Sequence, residues 1–251
     1  MLKSISIITG FMVVMTMPIA AVEIENHDVK PGFIKQIAGC YKRVPAALLA
    51  RVDNPRIIAA KDLAAVVSSL GLPANYFSTQ WYPLGNHLIK GMAFGGDDYM
   101  KRPRAAVFIE NTLSAEHSVA VCFVVMHEFG HLYDDPPSRS PEVPRQSYNE
   151  NFVTAWKQDL GNIIAKRSTS NEMREHVDKF NHYRSSAREA FAEAVAIIIF
   201  LHPKIKRHQN YAALFPNVMS YVRKLLIDDG IIQPNHKGDA QILRELERTR
   251  R

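Results

Sequence analysis

The sequence predicts an α+β fold, mainly α, with a small mixed sheet laid over one buried helix. Three observations predict it. Helix-prone segments outnumber strand-like ones along the chain. The strand-like runs are few and short, at 57–59, 87–94 and 105–110. The run Val119-Ala120-Val121-Cys122-Phe123-Val124-Val125-Met126 is almost wholly apolar, and a helix that apolar is buried, so other elements must cover it.

Taken in order, residues 1–21 read as a secretory signal. Lys3 gives a positive start, 5–17 is largely apolar, and Pro18-Ile19-Ala20-Ala21 supplies small residues for cleavage. The run is too short and punctuated for a membrane span, which takes about 20 apolar residues. Residues 22–251 are expected to form one domain, with 22–84 as an N-terminal part and 85–230 as the core that carries the chemistry. Residues 22–38 read as irregular, with Pro31-Gly32 as a turn. A helix opens at Pro45 and runs over 44–52. A strand at 57–59 precedes a helix at 61–70, closed by Gly71 and Pro73. After a turn at 81–85 comes the strand at 87–94 and a turn at 95–98. The strand at 105–110 is expected to edge the site. A long helix follows at 113–133, with Ser114 as its cap. The loop at 136–144 holds Pro136, Pro137, Pro141 and Pro144 and can rim the site. Helices are expected at 151–166, 172–180, from Ala187 to beyond Ala196, and at 217–227; the tail from Gly238 is charged and helix-prone. There are no internal repeats.

The chemistry concentrates in Met126-His127-Glu128-Phe129-Gly130-His131. A four-residue spacing stacks His127 and His131 on one helix face, about one turn apart. At the inner end of an apolar helix these are buried polar groups, costly unless paired or metal-bound. Two His bracketing a Glu in this way form the zincin pattern, in which the His bind Zn²⁺ and the Glu is general base toward the water that the metal activates. The reaction it points to is peptide-bond hydrolysis.

Catalytic zinc takes three protein ligands. A third His six residues after the second is not available, because that position is Pro137. Glu189 and Glu193 sit one turn apart in Ala187-Arg188-Glu189-Ala190-Phe191-Ala192-Glu193-Ala194, so one can bind the metal while the other hydrogen-bonds a ligand His. Glu189 is the expected ligand and Glu193 its support; the reverse is the alternative, with His182 and His176 next in line.

His127-Glu128-Phe129-Gly130-His131-Leu132-Tyr133-Asp134-Asp135 resembles the active-site helix of the anthrax lethal factor catalytic-domain family. Glu189-Ala190-Phe191-Ala192-Glu193-Ala194 resembles that family's second zinc helix, and the resemblance spans roughly 85–230. The family comprises gluzincin-type zinc endopeptidases, including secreted bacterial toxins and proline-directed proteases. The resemblance implies a zincin-like metallopeptidase domain with Zn²⁺ held by His127, His131 and Glu189. It implies Glu128 as the base, Glu193 behind a ligand His, and Tyr183 as a donor to the oxyanion. The gap from Tyr183 to Glu189 is one residue shorter than the family's usual spacing, and His182 can substitute for Tyr183.

Net charge is +6. The basic residues are dispersed in short clusters such as Lys101-Arg102-Pro103-Arg104 and Lys204-Ile205-Lys206-Arg207, without the interleaved aromatics of a nucleic-acid module. The expected partner is a peptide or protein substrate, with no nucleic acid and no stable membrane insertion after signal cleavage. The expected state is a monomer, secreted or periplasmic. Cys40 and Cys122 are the two cysteines, and an even count in an exported chain permits one disulfide. Cys122, on the apolar helix, is expected instead as a buried free thiol. Two other classes compete with the hydrolase: a zinc-binding but inactive protein on the same scaffold, and a basic surface-binding protein whose motif is fortuitous. An intact Glu128 argues against the first, and metal content decides the second.

Overall fold

The computed structural model describes residues 23–53, 55–72, 90–94, 104–114, 116, 118–135, 145–167, 186–200 and 206–234. The expected signal segment, the turns at 81–85 and 95–98, the loop at 136–144, the helix at 172–180 and the tail from Gly238 lie outside the described residues. The fold is mainly helical with a small mixed sheet of four strands.

The chain enters as strand β1 (Ile24–His27) and helix α1 (Pro31–Tyr41), where the sequence reads as irregular. Pro31 occupies the first helical turn, where a missing N–H leaves nothing unsatisfied. Phe33, Ile37 and Cys40 then recur on one buried face. β1 has no strand pattern of its own. It is extended because β2 (Arg56–Ala60) offers it a parallel edge, with Ile24 opposite Ile57 and His27 opposite Ala60. Helix α2 (Ala46–Val52) lies between them. Helix α3 (Leu63–Leu70) starts at Asp62, whose carboxylate accepts from Ala65 N at 3.0 Å, and ends at Gly71 in the left-handed region, φ 62°.

The sheet order is β1-β2-β4-β3, with β3 spanning Gly91–Phe94 and β4 spanning Ala105–Ile109. β1, β2 and β4 are parallel, and β3 runs antiparallel to β4. The strand at 105–110, expected to edge the site, is therefore interior: β4 is flanked on both sides, and among the described residues β1 and β3 are the edges. Its five residues, all buried, have the continuous apolar composition of a strand covered on both faces. Alternation sends Ile57, Ala59, Ala106 and Phe108 into the main core, and Ile58, Ala60, Met92, Ala105 and Val107 into a smaller core under α3.

The long helix is also shorter than expected. Glu110–Leu113 forms a separate turn, α4, closed by Ser114 N donating to Glu110 O at 2.9 Å, and helix α5 runs Ser118–Asp134. Ser114 therefore follows α4 instead of capping α5. Helices α6 (Glu150–Arg167), α7 (Ala187–Ile199) and α9 (Pro216–Asp228) fall where the apolar spacing puts them. α8 (Lys206–Leu214), which reads in sequence only as a basic cluster, docks through Tyr211, whose hydroxyl donates to Ala190 O at 2.7 Å. Asp159 of α6, fully buried, accepts from Asn217 N and Val218 N and so satisfies the first turn of α9 from another helix.

Cys122 is not a free thiol. Cys40 and Cys122 are bonded, joining α1 to α5 across 82 residues of sequence. Both are buried at one crossing of the two helices, with Cα atoms 4.8 Å apart, within reach of a bridge. No helix among the described residues is long and apolar enough to cross a membrane.

Candidate metal centre

The centre sits where α5 crosses α7. Gly130 permits the crossing. A Cβ on Gly130 would lie 2.8 Å from both Cα and O of Ala192, so the helices meet backbone to backbone. At that separation the first turns of α7 reach the two imidazoles of α5. Ser186 sets where α7 starts: its hydroxyl accepts from Glu189 N at 3.2 Å. The sequence Ser186-Ala187-Arg188-Glu189 has the capping-box form, a signal in the residues that the sequence reading passed over.

His127 and His131 stand edge to face, ring centroids 4.8 Å apart. Glu189 faces both, with Oε2 3.2 Å from His127 Nε2 and Oε1 3.3 Å from His131 Nε2. Glu193, almost wholly buried, lies behind His127 with Oε2 3.1 Å from Nδ1. That contact takes the far nitrogen of the ring and aims Nε2 at Glu189 and His131. One donor atom each from His127, His131 and Glu189 lies within 4.8 Å of the others, a group that can hold a metal ion. Two imidazoles and a carboxylate form the N/O donor set that first-row divalent metals take, and donors about 2.0–2.2 Å from a tetrahedral ion stand roughly 3.3–3.5 Å apart. The carboxylate–imidazole distances here are close to that range. His131 Nδ1 is buried without a hydrogen-bond partner among the described residues.

The electrostatics divide the two imidazoles. Burial opposes charge on His127, but hydrogen bonds to Glu189 and Glu193 outweigh it and hold its pKa up at about 10. Burial drives His131 the other way, down to about 4, against the pull of Glu189. Burial also pushes the Glu128 carboxyl up to about 7, with His127 opposing.

Glu128 is 5% exposed and is not one of the three donors. Its carboxylate lies under β3: a Cβ on Gly91 would be 2.9 Å from Glu128 Oε1. Ile109 N donates to Lys90 O at 3.1 Å, so alternate residues 90, 92 and 94 turn their backbone groups to β4. Gly91 and Ala93 turn theirs to the side of β3 that no other strand pairs among the described residues.

Beyond the donors, Arg188 lies on α7 next to Glu189, with Nε 4.0 Å from Asp134 Oδ2. Asp134, at the end of α5, accepts from Ser147 N at 2.6 Å and from Ser147 Oγ at 2.8 Å, and burial pushes its pKa up. Arg104 donates to Leu132 O at 2.9 Å and to Asp135 O, placing a cation on the carbonyl end of α5. Tyr183, His182 and His176 lie outside the described residues. Compared with protein-family models, curated proteins and solved structures, the chain matches none.

Proposed function

We propose that the protein is an exported zinc endopeptidase of zincin-like fold, of the gluzincin kind that its HEFGH and EAFAE segments resemble. The observation that carries this reading is the meeting of His127, His131 and Glu189 at one point with Glu128 buried alongside and outside the donor set. A metal-storage or structural site has no use for a further carboxylate, beyond Glu189 and Glu193, that is neither a donor nor bound to a donor imidazole; hydrolysis does.

In this reading His127, His131 and Glu189 hold the zinc, and Glu193 fixes the His127 ring through Nδ1. When bound, zinc supplies a Lewis acid for the scissile carbonyl and lowers the pKa of water. Glu128 takes the proton of the attacking water and delivers it to the leaving amine. An extended substrate lies along the β3 edge, hydrogen-bonding the outward backbone groups of Gly91 and Ala93. Tyr183, or His182 beside it, donates to the oxyanion. The Cys40–Cys122 bridge supports an oxidising compartment, in keeping with the signal-like N-terminal segment.

The test is metal analysis together with peptide-library digestion. The expected result is about one zinc per chain and cleavage that a chelator abolishes and added zinc restores. Absence of metal after zinc is supplied overturns the reading. Bound zinc with no cleavage of any library peptide favours the inactive scaffold.

A further inference from the structure

Gly91 is the least bulky residue the edge strand can offer, and it lies where the strand passes over the base. A Cβ at this position would fall 2.9 Å from Glu128 Oε1, 3.0 Å from Glu128 Cγ and 3.0 Å from Val124 Cγ1. Two of those three atoms belong to Glu128, one of them a carboxylate oxygen. A glycine within a strand commonly marks a close approach to that backbone. Its φ is not in the left-handed region, so the backbone conformation does not demand glycine here; the space does. The neighbours are fixed as well. Met92 and Phe94 are buried in the smaller core on the opposite face of the sheet, and Lys90 is held by Ile109 N on one side and by an ion pair with Glu116 on the other. β3 cannot lift away to make room without breaking these contacts.

We propose that Gly91 is a positioning residue for the general base: by lacking a side chain it lets the edge strand close onto Glu128 and hold the carboxylate in one place beside the metal ligands. The role assigned to Glu128 rests on the peptidase reading; the contact does not. The three atoms a Cβ would meet first belong to Glu128 and Val124 and not to His127, His131 or Glu189, so the first effect expected is on Glu128. The same residue turns its N–H and C=O to the side of β3 left unpaired among the described residues. One backbone position therefore sets both where an extended substrate is hydrogen-bonded and where the base stands beneath it.

The experiment compares Gly91→Ala with the wild type in two ways. In kinetics on the best library peptide, kcat is expected to fall about 10–100-fold, the scale of a displacement on the order of 1 Å at a reacting group. KM should stay within about 3-fold, and zinc affinity, by chelator competition, within about 2-fold. A purely structural role would move stability and leave kcat alone. The second measurement is independent of activity. In a Val124→Ala background, where Glu128 is the remaining obstacle, Gly91→Ala should lower Tm by about 3–6 °C, the usual result of overpacking in a domain of this size. In a Val124→Ala/Glu128→Ala background, where both obstacles are gone, that loss should vanish. Equal loss of Tm in the two backgrounds, or full kcat for Gly91→Ala in an active wild type, overturns the inference. A wild type that binds zinc but cleaves nothing overturns the peptidase reading and, with it, the catalytic role of Gly91. The paired backgrounds would still report the contact on its own.

Discussion

Gly130 and Ala192 touch through their backbones: a Cβ on Gly130 would come 2.8 Å from the Ala192 carbonyl oxygen. Ala192 is one turn beyond Glu189 and next to Glu193, so this contact sets how far both carboxylates stand from the imidazoles. Gly130→Ala must move one helix or the other, because backbone atoms cannot rotate out of the way. The expected outcome is zinc affinity reduced at least about 100-fold and stability reduced by about 1–3 kcal/mol, the range of overpacked cores. Leu226→Ala, which empties core space in α9, should cost stability and leave zinc affinity unchanged. Chelator competition and guanidinium unfolding on both variants check this.

Glu189 and Glu193 differ in what they face. Glu189 meets both Nε2 atoms, whereas Glu193 meets His127 Nδ1. Glu189→Ala should abolish measurable zinc binding. Glu193→Ala should weaken it about 10–100-fold, as expected for a group that orients a ligand. Reversed results would exchange the two roles.

Glu128→Gln keeps the shape of the side chain and removes the carboxylate that the peptidase reading makes the base. Zinc content should stay at the wild-type level while hydrolysis falls by at least about 100-fold. An active Gln variant would take Glu128 out of the mechanism.

The Cys40–Cys122 bridge closes 82 residues of chain and anchors α5 five residues before His127. Cys40→Ala/Cys122→Ala should lose about 2–4 kcal/mol in unfolding measured without reductant. If the wild type and the double variant unfold at the same denaturant concentration, the bridge is absent in solution.

The Glu25–Arg56 pair links β1 to β2, with Arg56 Nε donating to Glu25 Oε1 at 2.6 Å. The guanidinium bond holds the Glu25 pKa below its ordinary value, against partial burial. A depressed carboxylate pKa means that the unfolded state binds the proton first on acidification. The pair's contribution is therefore present above the unfolded Glu pKa, about 4.3, and is lost as pH falls through the lower folded value. Arg56→Met should be less stable than the wild type at pH 7, with the difference beginning to shrink as pH falls below about 4.3. A difference that does not shrink at all as pH falls from 7 to 2 would mean that Arg56 acts through packing.

The sequence by itself determined the elements whose residues repeat at a helical or alternating period. The apolar run before His127, the four-residue spacing of the imidazoles and the one-turn spacing of Glu189 and Glu193 are local facts, and a helix turns each into a shared face. The pattern also marked α6 and α9, because burial on one side leaves a period in the sequence, and β2, whose burial on both faces leaves a short continuous apolar run. What only the tertiary structure decided is everything set by a neighbour distant in the chain. β1 is a strand because β2 pairs with it. β4 reads as an edge by its place before α5, yet is interior because β3, which precedes it in the chain, pairs along its far side. Cys122 has no signal that separates a buried thiol from a bridged one until α1 packs against α5. Gly91 and Gly130 read as ordinary glycines, and their meaning lies in the atoms a side chain would strike, from Glu128 in one case and Ala192 in the other. Periodicity is written in consecutive residues and can be read there; pairing order, close approach and crosslinks depend on distances between segments, which exist only once the chain is folded.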